Sequence, residues 1–375
     1  MHLTNLLAHL HAFTAAARKL GAQGEFRLGD MRALLRVGDQ QVEFLAQYLV
    51  RRPDRTLTYS MQFGDDAEGF IGWLPYFNKR WVEAYDKLAF KQHCIRHGLP
   101  VPAWSTGHIA PELGDFVIKS ARGSSFGQRM RGPFAAGEAS LHTLADGEYA
   151  DRFIPGRIGK AWFWNDQLVA LDLREPGSVV GDGHATLAHL VRRQRRSADV
   201  TMFTDFFRYR GLAWDQVPSA GETVTVDYKY GSPFERYEDA STDRLAELRG
   251  TPLVARLSGW APLFWHCVPQ GLREGTLYTV DFIDSDTDGL RLLEMNCNPM
   301  VPPEAYEVIL GAAFSGAVAG ADSLQVIAPP PASADPPPEP PPLQPMFTPT
   351  QWTPPPAPAV PPPALASLDM PRHTG

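Results

Sequence analysis

The chain has 375 residues, 44% of them hydrophobic and 21% charged, with a formal net charge of −7. That is ordinary globular composition, enough for two or three packed lobes. The acidic balance gives no electrostatic basis for general nucleic-acid binding, and Cys94, Cys267 and Cys297, odd in number and without CxxC spacing, offer neither a disulfide framework nor a zinc site.

In chain order, the opening MHLTNLLAHLHAFTAAARKLG lacks a basic n-region and an unbroken apolar run. It reads as an amphipathic helix, not as a signal peptide or a membrane span. MRALL and VEFLAQYLV also read as helices, and RTLTYSMQF as a strand. WVEAYDKLAFKQHCIRHG reads as a helix ending at Gly98, with Lys87 near its start. FVIKS, KAWFWNDQLVALDLRE and TVTVDYKY carry the β-branched and aromatic content of strands. The mixture predicts an α+β class. RRQRRS (192–197) reads as a solvated helix face, and the eleven histidines show no metal-ligand spacing. From Pro329 the chain holds 19 of its 35 prolines. Proline removes donors and fixes φ, so residues 328–375 are expected to be a disordered, polyproline-biased tail. Such a tail serves as a spacer or as a partner ligand anchored around Phe347 and Trp352.

Two segments carry chemistry. In DFVIKSARGSSFGQRM, Lys119 ends an apolar strand, and a small flexible loop with Gly123, Ser124, Ser125 and Gly127 follows. Such a loop lets backbone N–H groups approach phosphate oxygens while the lysine supplies counter-charge. The second segment is DSDTDGLRLLEMNCNP, residues 284–299. Its opening spells the start of an EF-hand loop. With Asp284 as position one, however, position twelve is Met295, and the flanks TLYTVDFI and LRLLEMNC read as strands. A hairpin turning about Thr287-Asp288 puts Asp281 opposite Glu294, with Asn296 two residues along on the same face. Two carboxylates and an amide oxygen are hard ligands suited to Mg²⁺.

The order DK…GLPVP, VIKSARGSSFG, ADRFIPG, LREPGSVVGDGHATLAHLV, YRGLAWDQVPSAGETVTV and VDFI…LLEMNCNP resembles the ATP-grasp ligases over roughly residues 80–310. It is most similar to cyanophycin synthetases, the ligase half of bifunctional glutathione synthetases and the ribosomal-protein glutamate ligases. The resemblance implies an ATP-grasp fold with an N-terminal α/β lobe (1–98), a small ATP-binding lobe (99–185), a large one (186–327) and the tail (328–375). It implies an ATP-dependent ligase that forms an amide bond between a small-molecule or peptide carboxylate and an amine through an acyl phosphate. The location would be cytoplasmic, without membrane or nucleic acid. Lys87 and Lys119 would contact the ATP phosphates, and the 123–127 loop would cover them. Asp151, Arg152, Phe153 and Ile154 would line the adenine pocket, with backbone groups reading the base. Asp281, Glu294 and Asn296 would hold one or two Mg²⁺ ions, or Mn²⁺ in their place. Lys160 and Arg174 would face the acyl phosphate or the acceptor. The chain departs from the pattern at Ile158, where relatives carry an acid for the ribose, and at Asp227, which stands in an arginine register. Those departures keep a second reading open: an inactive ATP-grasp scaffold that binds partners through its tail.

Overall fold

The computed structural model describes residues 3–27, 29–53, 57–122, 130–194, 203–229 and 243–315, with side chains from residue 6. The chain divides into two compact units, Met1–Gly320 and Ala321–Gly375, and every described residue lies in the first. The expected tail and the loop residues Gly123, Ser124, Ser125 and Gly127 fall outside the described residues.

Helix α1 (Leu3–Lys19) carries Leu6, Leu10, Phe13 and Ala17 at helical spacing and packs that stripe onto an antiparallel sheet. The sheet is built from β1 (Gln23–Arg27), β2 (Arg32–Val37), β3 (Gln40–Arg51), β4 (Leu57–Ser60) and β5 (Ala67–Leu74), in the order β1-β2-β3-β4, with β5 on the other edge of β3. The two segments expected as helices, MRALL and VEFLAQYLV, are therefore strands β2 and β3. Gly38 (φ +58) and Asp39 form a two-residue turn between paired Val37 and Gln40, which commits the flanks to a hairpin. Strand β3 is buried on both faces from Phe44 to Tyr48, so no clean alternation of polar and apolar residues marks it.

Helix α2 (Lys87–Arg96) leads into a second antiparallel sheet. Its strands are β6 (Trp104–Thr106), β7 (Phe116–Ser120), β8 (Arg131–Phe134) and β9 (Glu148–Arg152), in the order β6-β9-β7-β8. A long hairpin of β10 (Arg157–Trp164) and β11 (Gln167–Arg174) follows. Strands β12 (Ser178–Val180) and β13 (Thr223–Thr225) form a small ribbon that packs with α3 (Leu187–Gln194) and α4 (Thr204–Arg210) around Val179, Leu190, Phe207 and Val224. Beyond the short α5 (Leu245–Leu248) lies α6 (Pro252–Trp265), capped by Thr251 and started by a proline at its first position.

Strands β14 (Leu277–Ser285) and β15 (Gly289–Cys297) are the expected hairpin, and they join the β10–β11 hairpin in a third sheet, β11-β10-β14-β15. The boundary expected between residues 185 and 186 thus falls between the strands of one sheet. One face of this sheet, with Ala161, Phe163, Leu171 and Phe282, packs on Phe264 and its neighbours of α6. The other face sends Trp162 and Trp164 into the core of the N-terminal sheet. Gly159 lies opposite Phe282, whose ring occupies the place where a Cβ would stand, so only glycine fits there.

Helix α7 (Tyr306–Phe314) returns to pack with α1 in that N-terminal core. The Tyr306 hydroxyl accepts from the Trp73 N–H at 3.0 Å and lies 2.9 Å from His9 Nδ1. Among the described residues no helix is long and apolar enough to cross a membrane.

Burial lowers the His9 pKa from 6.5 to about 3. Between those values the unfolded chain binds the extra proton, so stability rises with pH and is lost as pH falls below 6.5. Going from pH 7 to pH 5 is expected to cost about 2 kcal/mol from His9 alone. Urea unfolding at both values checks this. The His9→Gln variant, which cannot protonate there, should lose that part of the difference.

Candidate functional site

A row of charges crosses the third sheet in register. Asp172 on β11 stands opposite Lys160 on β10, Lys160 opposite Asp281 on β14, and Asp281 opposite Glu294 on β15. The expected Asp281–Glu294 pairing is present, although the turn differs from expectation. The pair Ser285–Gly289 closes a three-residue loop, with Gly289 left-handed at φ +68. That turn alone would offset the strands. A bulge at Leu293 absorbs one residue and brings Glu294 opposite Asp281.

Each member of the row has an opposite charge beside it. Lys160 Nζ donates to Asp281, and Arg174 Nε donates to Asp172 at 2.6 Å. Lys87, in the first turn of α2, reaches Glu294 at 2.7 Å. Its position is set by Asp86, which caps the helix by accepting from the Leu88 and Ala89 N–H groups and is itself held by Arg122 Nε at 2.7 Å. The two carboxyls respond differently. Burial pushes Asp281 up to about 6, with Lys160 opposing and Glu294 adding to the rise. Burial also acts to raise Glu294. Lys87, Lys160 and Lys119 together outweigh it and hold that carboxyl below its usual range. Asn296 stands opposite Thr279, two residues along from the Asp281–Glu294 pair. The buried Thr279 hydroxyl has no hydrogen-bond partner.

The second sheet contributes Lys119 at the end of β7. Its ammonium meets Asp151 of β9 at 2.8 Å. The Asp151 side chain is fully buried and turned inward, so the expected adenine strand presents only its backbone at that position. Arg152 pairs with Asp288 at 3.0 Å and ties this strand to the tip of the β14–β15 hairpin. Phe153 packs edge-on against Tyr209 and Tyr228, and Ile154 is buried. Two of the three acids that spelled a calcium loop are held by arginines: Asp284 by Arg157 and Asp288 by Arg152. Among the described residues no group of three or more His, Cys, Asp or Glu side chains is arranged to hold a metal ion. The two departures are also placed. Ile158 is a buried apolar residue between Ile283 and Arg174, and Asp227 accepts from the backbone N–H groups of Tyr228 and Lys229.

Three residues of this cluster were not singled out from the sequence. Lys91, one helical turn after Lys87, is fully buried against Asp151. Two lysines at i and i+4 on one helix face repel unless each has its own acid, which was the available signal. Asp86, the cap, and Tyr149, opposite Lys119 on β9, gave none.

No family model matches the sequence, and no curated protein matches it. Three of the solved structures similar to the chain are ligases. The bifunctional glutathione synthetase from Pasteurella multocida is 14% identical over 81% of this chain and 42% of its own, with a TM-score of 0.41. The D-alanine–D-alanine ligase from Bacillus anthracis is 14% identical over 62% of this chain and 66% of its own, with a TM-score of 0.34. D-cycloserine synthetase DcsG is 15% identical over 60% and 69%, with a TM-score of 0.31. The chain thus spans under half the length of the first structure and about two thirds of the second. Likenesses this distant assign no activity.

The Tyr149 hydroxyl is buried among Asp151, Glu294 and Asp86 with no hydrogen-bond partner, and burial raises its pKa first, with those carboxylates adding to the rise. Removing an unpaired buried hydroxyl should not destabilise. Tyr149→Phe is expected to leave stability unchanged or raise it by about 1 kcal/mol. Urea midpoints of the two proteins test this, and a clear loss would mean that the hydroxyl has a partner.

Proposed function

We propose that this chain is an ATP-grasp ligase, ATP- and Mg²⁺-dependent, that joins an amino acid or peptide carboxylate to an amine. The observation that carries the reading is convergence. Lys87, Lys119 and Lys160 come from α2, β7 and β10, and their charges all act on Glu294, which faces Asp281. Phosphoryl transfer needs positioned cations and charge neutralisation more than a protein nucleophile. A buried cluster of lysines around two carboxylates suits that need.

On this reading a substrate carboxylate attacks the γ-phosphorus of ATP, giving an acyl phosphate and ADP. The amine then attacks the acyl carbon, and phosphate leaves. Lys87 and Lys119 bind and orient the triphosphate. Lys160 and Arg174 face the acyl phosphate and steady the charge on its oxygens. Residues 151–154 offer backbone groups to the adenine. Asp281 and Glu294, opposed across two strands with the Asn296 amide and the unpartnered Thr279 hydroxyl alongside, form a hard-oxygen donor set that fits Mg²⁺. When bound, Mg²⁺ neutralises triphosphate charge and fixes its geometry.

The lobe assignment belongs to the same proposal. Residues 1–98 form the N-terminal lobe, which lends Lys87 to the triphosphate, the sheet of β6–β9 covers one side of the nucleotide, and the sheet of β10, β11, β14 and β15 covers the other. A cytoplasmic location fits the free Cys94, Cys267 and Cys297.

Calorimetric titration of ATP with Mg²⁺ tests the reading, with Ca²⁺ alone as a control titrant. The wild type is expected to bind ATP at micromolar concentration only when Mg²⁺ is present. Glu294→Ala should weaken binding at least tenfold, a loss of about 1.4 kcal/mol or more. No ATP binding by the wild type would sink the ligase proposal and leave the scaffold reading.

A further inference from the structure

The buried carboxylate of Asp151 is shared by two lysines. Its Oδ1 accepts from Lys91 Nζ at 2.9 Å and its Oδ2 from Lys119 Nζ at 2.8 Å. The two lysines are not equivalent. Lys91 is 0% exposed, donates also to the Pro102 carbonyl at 3.3 Å, and lies 5.3 Å over the Trp104 ring. It has no route to solvent. Lys119 is 16% exposed at the end of β7, and its charge reaches Glu294.

A lone buried ion pair needs one lysine, and the second raises the local charge to plus one. That surplus disfavours the buried Lys91 ammonium. Burial pushes Lys91 below its ordinary range, Asp151 opposes, and Lys119 adds to the lowering. The arrangement makes sense if one of the two leaves. Were Lys119 the sole partner, moving its ammonium to a ligand would strand an unpaired carboxylate in the interior, which is strongly unfavourable. With Lys91 in place, Asp151 stays paired after Lys119 has gone, and repulsion between the ammonium groups favours the departure.

We infer that Lys91 is a positioning residue for anion capture. As the permanent counter-ion of Asp151, it frees Lys119 to exchange that carboxylate for a ligand phosphate. The identity of the ligand as ATP rests on the function proposed above.

The experiment titrates Mg·ATP and, in parallel, inorganic tripolyphosphate into the wild type, Lys91→Met and the double variant Lys91→Met/Asp151→Asn. Circular dichroism establishes that each is folded. Lys91→Met is expected to weaken anion binding at least tenfold, because Lys119 is then held by an unshared carboxylate. Read with tripolyphosphate, which has no adenine to meet residues 151–154, the double variant, which removes that carboxylate, should return to within about threefold of the wild type. A merely structural role for Lys91 predicts no such rescue. Wild-type affinity in Lys91→Met overturns the inference, and so does a double variant as weak as the single one. If Lys91→Met does not fold, the double variant decides alone: near-wild-type affinity supports the inference and a tenfold loss overturns it. A wild type that binds tripolyphosphate but not Mg·ATP defeats the nucleotide reading only, and the Lys91 series is then read with tripolyphosphate. A wild type that binds neither anion overturns the inference as well.

Discussion

Strand register in the third sheet is the constraint on which the rest of the site depends. Side chains alternate faces along a strand, so a slip of one residue would turn Glu294 away from Asp281 and toward the hydrophobic face. In the register found, Asp172, Lys160, Asp281 and Glu294 line up across four strands with little solvent to screen them: Lys160 stands between two acids, and Glu294, opposite the like-charged Asp281, is met by Lys87. Buried charges persist only when each has a partner, and a missing partner costs several kcal/mol. The row therefore fixes the register as much as the register fixes the row. Local backbone features make the fit: the bulge at Leu293, the left-handed Gly289 at the turn, and Gly159 beneath the Phe282 ring.

Around that row the lysines come from different depths of the sequence. Lys87 is aimed by a helix cap, Lys119 by the end of a strand, and Lys160 by the sheet itself. Each rests on a carboxylate. The cluster is thus close to electrically balanced before any ligand arrives, and an arriving polyanion with its cation exchanges ion pairs instead of creating them. The two departures from the ATP-grasp pattern sit at its margin. Ile158 fills an apolar position, and Asp227 is engaged by backbone N–H groups.

How much was legible in the sequence follows from the range of the interactions. The β14–β15 hairpin could be read because its signal is local: two short apolar flanks, a turn rich in aspartate and a glycine. The pairing of Asp281 with Glu294 followed from period-two alternation, and the error in the turn's centre was cancelled by a bulge that no local rule announces. Residues 31–35 and 42–50 read as helices for the opposite reason. Leucine, alanine, glutamate and glutamine favour helices, and a strand covered on both faces shows no alternation. The Gly38-Asp39 pair was the overlooked sign. The spacing of Lys87 and Lys91 called for a second acid without naming it, and Tyr149 gave no signal, because the partners lie across the chain. Lys91 and Asp151 are 60 residues apart, and nothing near either one announces the other. The boundary expected after residue 185 failed to anticipate that one sheet takes strands from both sides of it.

The Tyr306 hydroxyl, shared between the Trp73 N–H and His9, has a consequence for the order of events during synthesis. The core beneath the first sheet contains Phe13, Phe44 and Trp73, and also Tyr306, Ile309 and Leu310 from α7. A nascent chain that has released its first 74 residues has every strand of that sheet but lacks a wall of its core. Some 230 further residues must emerge before the wall arrives. Until then the apolar face of the sheet stays open to water and to other chains. This lobe, made before the other two sheets, is among the last to be finished. A cell making this protein has to shelter that face for the time taken to translate the rest.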